Sequence, residues 1–271
     1  MITNDEPVAR LFTQGMVIKD GAKMSKSIGN IVSPDEMVAR YGADAARLYS
    51  LFAAPPDRDL DWKDSGIEGI QRFLGRVYRF FLRNSKPGQA GWRDAVSAEL
   101  SPEARTIQRK LHQTIKRVSD DFQGRWHFNT CIAAIMELVN VLYASEEAIA
   151  QGRVPVAFLA EVQRDIVLLL APFAPYLAHE LWEMLGEKGS LLKATWPKYD
   201  AALAKEEEVE IPVQINGKIR SRIVIATDAT EESVLALAQV DEKVKAAIAG
   251  KEILKKIYVS GKLVNIVVKG C

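Results

Sequence analysis

Cysteine is close to absent from this sequence: Cys131 and Cys271 are its only two, and no Cys-x-x-Cys pair exists. That excludes a zinc ribbon, a thioredoxin-type redox motif and a disulfide scaffold, and it points to a reducing cytoplasm. Nor is one sign of charge in excess. Lys and Arg number 36 against 35 Asp and Glu, for a net charge of +1, so no global basic field exists and any nucleic-acid contact must come from local clusters. Long apolar runs are missing as well. The most apolar stretch, Ile166 to Ala178, is interrupted by Pro172 and Pro175, and Met1-Ile2-Thr3-Asn4-Asp5-Glu6-Pro7 has no charged region followed by an apolar core. Neither a membrane span nor a signal peptide is expected. No internal repeat is present, and no metal-ligating set stands out around His112, His127 or His179.

What is present is ordinary globular material. At 271 residues, 48% hydrophobic and 26% charged, the chain can form two or three domains with their own cores. Residues 1–65 hold a short β pattern, Leu11 to Ile18, then a Gly/Ser/Lys loop and two short helices. Ser33-Pro34 reads as N-cap and first-turn proline of the first helix, Tyr41-Gly42-Ala43-Asp44 breaks and restarts it, and Pro55-Pro56 ends the second. One strand and two helices cannot close a sheet, so this reads as part of a larger α/β unit.

Over residues 66–200 the apolar period becomes 3.6. Ile70, Phe73, Val77 and Phe80 stripe one helix; Ile107, Leu111, Ile115, Val118 and Phe122 a second, opened by Ser101-Pro102; Ile132, Ile135, Val139 and Leu142 a third. A fourth spans Pro155 to Leu170, and a fifth buries Leu177, Leu181 and Leu185. Together they predict an antiparallel bundle, closed by Trp196-Pro197 and the acidic run Glu206-Glu207-Glu208. Residues 206–271 turn to period 2. Val209, Ile211, Val213 and Ile215 lead to Asn216-Gly217, a type I′ hairpin signal, and Ile219, Ile223 and Ile225 mark the return strand. Thr230 caps one helix carrying Val234, Leu237, Val244 and Ile248 and stopped by Gly250; a second hairpin turns at Gly261-Lys262. The whole is an α+β, multi-domain chain ending in a small β-β-α-β-β domain.

The segment carrying chemistry is Lys23-Met24-Ser25-Lys26-Ser27. Two lysines three residues apart on a Gly/Ser loop can bring two ammonium groups to phosphate oxygens, with the Ser25 and Ser27 hydroxyls as neutral donors. Gly21 and Gly29 supply hinge freedom on either side. A bare Lys-x-x-Lys is usually a solvated loop, but a fully specified pentapeptide arises by chance on the order of once in ten thousand chains of this length.

This pentapeptide resembles the ATP-phosphate loop of class I aminoacyl-tRNA synthetases. The preceding flanks, Leu11-Phe12-Thr13-Gln14-Gly15-Met16-Val17 and Lys19-Asp20-Gly21-Ala22, are similar to those of the leucyl enzymes, and the following Gly29-Asn30-Ile31-Val32 resembles the whole subgroup, although Ile28 stands where many relatives have Lys. Tyr41 to Leu48 resembles the following segment that contacts the tRNA stem, Phe128-Asn129-Thr130 with Ala133-Ala134 the anticodon-binding bundle, and Ile215-Asn216-Gly217-Lys218 the leucyl C-terminal domain.

The resemblance implies that residues 1–65 are the end of a class I catalytic domain, residues 66–200 an anticodon-binding domain, and residues 206–271 a tRNA-binding domain. It implies ATP, with Mg not bound by a recognisable motif, leucine and tRNA(Leu) as partners. Lys26 is then the most direct phosphate contact, Lys23 the second cation, and Met24, Ser25 and Ser27 complete the ATP-binding loop. No His-x-Gly-His companion signature is present. The remaining catalytic half is expected in cis or as a separate subunit. The alternative is a non-catalytic tRNA-binding module in which the loop is a relic.

Two basic stripes are candidate RNA surfaces. Arg72, Arg76, Arg79 and Arg83 share one helical face, and Arg105, Arg109, His112 and Lys116 repeat that geometry; solvated or acid-paired faces are the usual fate of such stripes. Lys218, Arg220 and Arg222 are expected on one face of a strand, opposite its apolar positions. His179-Glu180-Leu181-Trp182-Glu183 begins like a zinc-protease helix but ends in Glu, so it reads as an ordinary bundle face. Trp126 and His127 beside Arg125 fit either a helix-start staple or a base stack, and Cys131 a small core position.

Overall fold

In the computed structural model the described residues are 11–85, 100–205, 208–227 and 229–269. The opening heptapeptide, Glu206, Glu207 and Cys271 lie outside them. The chain divides into two compact units, Met1–Ala204 and Lys205–Cys271.

The first unit begins with a miniature sheet. Strand β1 (Val17–Lys19) pairs antiparallel with β2 (Ala22–Lys23) and parallel with β3 (Leu60–Asp61). The strand is shorter than the Leu11–Ile18 pattern suggested, and the reason is Gly15. A Cβ there would stand 2.0 Å from the Arg58 carbonyl oxygen, so the chain at Gly15 is pressed on the 56–59 loop before it can enter a ladder. Helices α1 (Pro34–Tyr41) and α2 (Ala43–Phe52) follow, split at Gly42, whose φ of 87° only glycine adopts readily. Ser33 has the extended backbone of an N-cap, but its side chain makes no capping hydrogen bond.

The bundle consists of α3 (Asp64–Asn84), α4 (Pro102–Asp120), α5 (Phe128–Ala144), α6 (Glu146–Ala150), α7 (Val156–Leu170) and α8 (Pro175–Met184). Ser101 Oγ accepts the Ala104 N–H and caps α4 as expected. Lys110 meets Glu137, Thr114 faces the Ala134 carbonyl, and Thr130 donates to Asp121, a reversed order that makes α4 and α5 antiparallel. The three predicted stripes are buried, except that Phe122 is only partly so, packing on Phe128, Phe173 and Trp196. Of the three leucines expected to be buried by the fifth helix, only Leu181 is fully enclosed, while Leu177 and Leu185 lie half-buried. Helix α6 had no counterpart in the periodicity, because a helix of five residues is too short to show a stripe.

One core joins the two parts of this unit. Tyr41, Ala45, Leu48 and Tyr49 belong to the same buried cluster as the bundle residues. A polar clasp reinforces it. Helix α8 has Ala174 at its N-cap and so no side-chain cap of its own, and the buried Asp44 carboxylate accepts the Tyr176 N–H at 3.2 Å and the Leu177 N–H at 2.7 Å. Arg47 donates twice to the Pro172 carbonyl, at 3.2 and 3.0 Å. Asp44→Ala is therefore expected to lower the stability of this unit by about 1–2 kcal/mol, the value of a lost cap, with chemical denaturation as the measurement. A midpoint equal to wild type would rule out a capping role.

The second unit is a four-stranded sheet in the order β5 (Lys218–Ala226), β4 (Glu208–Ile215), β7 (Leu263–Val268), β6 (Ile253–Val259), with β4 and β7 parallel. The Asn216-Gly217 turn has φ of 50° and 78°, as a type I′ turn requires. Thr230 Oγ1 caps the first helix by accepting the Ser233 N–H. The single helix expected after it is two: α9 (Glu231–Val240) and α10 (Glu242–Ile248). Asp241 is extended between them and caps α10 by accepting the Val244 N–H. The break rotates the apolar face, so Val234, Ala238 and Val244 are buried and Leu237 is exposed.

Candidate functional site

The phosphate-loop candidate sits on a built platform. Asp20 and Gly21, with φ of 56° and 75°, form the tight turn between β1 and β2, and the Met24 N–H donates to the Val17 carbonyl at 3.1 Å. The chain then leaves the sheet. Ile28 and Gly29 donate their N–H groups to the Ser25 carbonyl, and Gly29, at φ 76°, turns the backbone back toward the hairpin. Lys23 and Lys26 are both exposed, and neither has an acidic partner among the described residues. Two uncompensated ammonium groups three residues apart can attract an anion. The hydroxyls of Ser25 and Ser27 lie 2.8 Å apart, so one donates to the other and one hydroxyl hydrogen is left for a ligand. Met24 is half-buried. Lys19 reaches Asp64 at the start of α3, at 3.8 Å, and the Trp62 indole donates to the same carboxylate.

Sequence reasoning missed the residue that closes this loop. The Asn30 carboxamide faces the Lys19, Ala22 and Lys23 carbonyls at 3.0, 3.3 and 3.3 Å, and its Oδ1 accepts the Ser25 N–H at 2.8 Å. A β-turn followed eight residues on by Asn is too weak a pattern to reveal this. Only the folded hairpin brings the three carbonyls together.

The basic stripes divide. On α3, Arg76 lies 4.5 Å over the Tyr143 ring, and Arg83 pairs with Glu146, whose hydrogen bond raises the guanidinium pKa. Arg72 and Arg79 are exposed with no acidic partner among the described residues. On α4, Arg105 donates to the Leu100 carbonyl, Lys116 pairs with Asp120, and His112 Nδ1 accepts the Asp200 N–H at 3.0 Å. Desolvation holds the His112 pKa below its usual value, only partly opposed by Asp200, so at neutral pH this imidazole is uncharged and adds no cation to the stripe. Lys218, Arg220 and Arg222 are all exposed, but they do not share a face. A bulge between Val213 and Gln214 leaves Arg220 unpaired, so Lys218 pairs with inward Ile215 while Arg222 pairs with outward Pro212. The same slip turns Ile219 out to 55% exposure, where simple alternation had buried it. Arg222 is also held by Glu210, at 3.1 Å.

The remaining candidates are structural in the fold. His179 is exposed and its Nδ1 bonds the Pro175 carbonyl. Trp126, in the left-handed region at φ 53°, meets Phe12 edge-on at 5.3 Å. Cys131 is buried, and burial together with the nearby Asp121 carboxylate pushes its thiol up to about 12, which leaves it protonated and unreactive. Among the described residues no cluster of His, Cys, Asp and Glu could hold a metal ion, and no helix is long and apolar enough to cross a membrane.

Comparison with known proteins finds relatives along nearly the whole chain. The family of class I tRNA synthetases (I, L, M and V) matches residues 1–63, and the anticodon-binding domain of tRNA ligase matches residues 104–235. The leucine–tRNA ligase of Solibacter usitatus (strain Ellin6076) is 50% identical over 269 residues, 99% of this chain and 32% of that protein. That of Geobacter sp. (strain M21) is 52% identical over 267 residues, 97% of this chain and 32% of its own length. In a crystal structure of the ternary complex of Agrobacterium radiobacter K84 agnB2 LeuRS, tRNA and LeuAMS, the synthetase is 35% identical with a TM-score of 0.76, over 98% of this chain and 33% of that one. The chain thus spans about a third of the length of the relatives it matches. With such identity along nearly all its residues and a matching fold, the chain belongs to the leucine–tRNA ligase family of class I synthetases.

Proposed function

We propose that this chain supplies the ATP-phosphate loop and the tRNA-binding domains of a leucine–tRNA ligase, working in the cytoplasm. The rest of the enzyme, in the same polypeptide or as a separate subunit, carries the other nucleotide contacts. The observation that supports this best is the pair of exposed, unpaired ammonium groups, Lys23 and Lys26, on the loop that the β1–β2 hairpin holds.

In leucine activation the carboxylate attacks the α-phosphate of ATP and pyrophosphate leaves, so negative charge grows on the β and γ oxygens. Lys26, with Lys23, meets that charge; Ser25 and Ser27 add neutral donors, and Met24 ties the loop to its hairpin through its backbone N–H on the Val17 carbonyl. Mg²⁺ enters with the nucleotide phosphates. Residues 1–65 belong to the catalytic domain in this reading, 66–200 to the anticodon-binding domain and 206–271 to a further tRNA-binding domain.

Leucine-dependent ATP–pyrophosphate exchange, measured with this chain co-expressed with the remaining two thirds of a leucine–tRNA ligase, tests the reading. Exchange that depends on this chain is the expected result, and tRNA binding without exchange would instead establish a non-catalytic module.

For tRNA(Leu), the side chains left to meet phosphates are Arg72 and Arg79 on α3, with Arg76 and Arg83 partly engaged by Tyr143 and Glu146, and Lys218, Arg220 and Arg222 on β5. Neutralising Lys218, Arg220 and Arg222 together is expected to weaken tRNA binding. It should also reduce the slope of log K against log salt by about 0.7–0.9 per lost phosphate contact. An unchanged slope would remove this patch from the interface.

A further inference from the structure

We propose that Asn30 is the positioning residue of the phosphate loop, the one side chain that fixes where Lys23 and Lys26 stand; this rests on the phosphate-loop reading above. Among the described residues outside the loop, Asn30 alone offers a side chain to the backbone between Lys23 and Ser25. Its amide group has two hydrogens and faces three carbonyl oxygens, those of Lys19 on β1 and of Ala22 and Lys23 on β2. Its carbonyl oxygen takes the Ser25 N–H, the first amide after the hairpin ladder ends.

One carboxamide therefore spans the hairpin and the loop at once. The hairpin end is anchored through Lys19 to Asp64 and through the β1–β3 pairing, whereas residues 25–29, apart from the Ser25 N–H on Asn30, hydrogen-bond among the described residues only to one another. A loop built this way can swing toward a ligand about Asn30 while its root remains fixed.

The chemistry selects asparagine. A carboxylate of the same shape would face three carbonyl oxygens with no hydrogen to offer, and alanine would leave those oxygens and the Ser25 N–H without this partner. Position 30 is half-buried, so water replaces the lost bonds only in part.

The test compares Asn30→Asp, Asn30→Ala and Lys26→Ala in the co-expressed ligase. Both Asn30 variants should lower kcat for leucine-dependent pyrophosphate exchange by about 10- to 100-fold through misplacement of the lysines. The KM for leucine and the thermal midpoint of the bundle should stay at wild-type values. Asn30→Asp, although isosteric, should fall at least as far as Asn30→Ala. On the isolated chain, tryptic cleavage after Lys23 and Lys26 should be faster in both variants. If Lys26→Ala abolishes exchange while both Asn30 variants keep wild-type kcat and cleavage rates, the positioning role is overturned and the phosphate-loop reading survives. If Lys26→Ala itself leaves exchange intact, the phosphate-loop reading fails and the positioning role with it.

Discussion

Lys26→Ala in the assembled ligase is expected to slow leucyl-adenylate formation by 10²- to 10³-fold, about 2.7–4 kcal/mol, the usual loss when one preorganised donor to a developing anion is removed. The size of the effect follows from what surrounds the side chain. Lys26 is exposed, and no carboxylate among the described residues competes for its charge, so the whole ammonium is available to a phosphate. It also stands next to two hydroxyls that are already bonded to each other, which can help but not substitute for a cation. Because the interaction grows only as pyrophosphate departs, kcat should fall while the KM for leucine moves little. Single-turnover adenylate formation is the measurement. A wild-type rate would show that the loop does not serve the phosphates.

Gly15→Ala is expected to be the most damaging glycine-to-alanine change among the described residues. The added carbon would fall 2.0 Å from the Arg58 carbonyl oxygen and 2.6 Å from the Asp59 nitrogen, both backbone atoms that no rotamer change can move aside. The Gly15 N–H already donates to the Pro56 carbonyl, and the Met16 N–H to the Asp59 carboxylate. Relieving the overlap means parting β1 from the 56–62 segment, where the Leu60 and Trp62 N–H groups donate to the Met16 and Ile18 carbonyls. Overpacking of this kind destabilises by about 1–3 kcal/mol or more. The bundle core does not include Gly15, so the helices should survive while the hairpin under the loop shifts. Pyrophosphate exchange should then drop about 100-fold with helical circular dichroism unchanged. Wild-type exchange in this variant would mean that the platform is not needed to aim the loop.

Much of the fold is legible in the residues, for a physical reason. Ile70, Phe73, Val77 and Phe80 repeat at the helical period and are all buried, because a helix has one way to put such a stripe against a core. The Asn216-Gly217 turn was equally plain, since few residue pairs take two consecutive positive φ angles. Errors arose where one residue changes the period. A single bulge at Arg220 moved Ile219 and Lys218 to the opposite faces from those expected, and one extended residue, Asp241, cut a helix and exposed Leu237. At the candidate site the lysines and serines were readable because their chemistry is in their side chains. Asn30 and Asp44 were not, because their partners are backbone groups brought close only by folding.

That last point bears on how this protein tolerates sequence drift. Asp44 and Arg47 hold only main-chain atoms: two N–H groups and one carbonyl. Every amino acid brings a carbonyl, and all but proline bring an N–H. Positions 172, 176 and 177 can therefore vary widely with the clasp intact, provided proline does not enter at 176 or 177. The two residues on α2 have no such latitude. Selection on this contact falls on one side alone, so sequence change should accumulate at the start of α8 while the Asp-x-x-Arg pair facing it stays fixed.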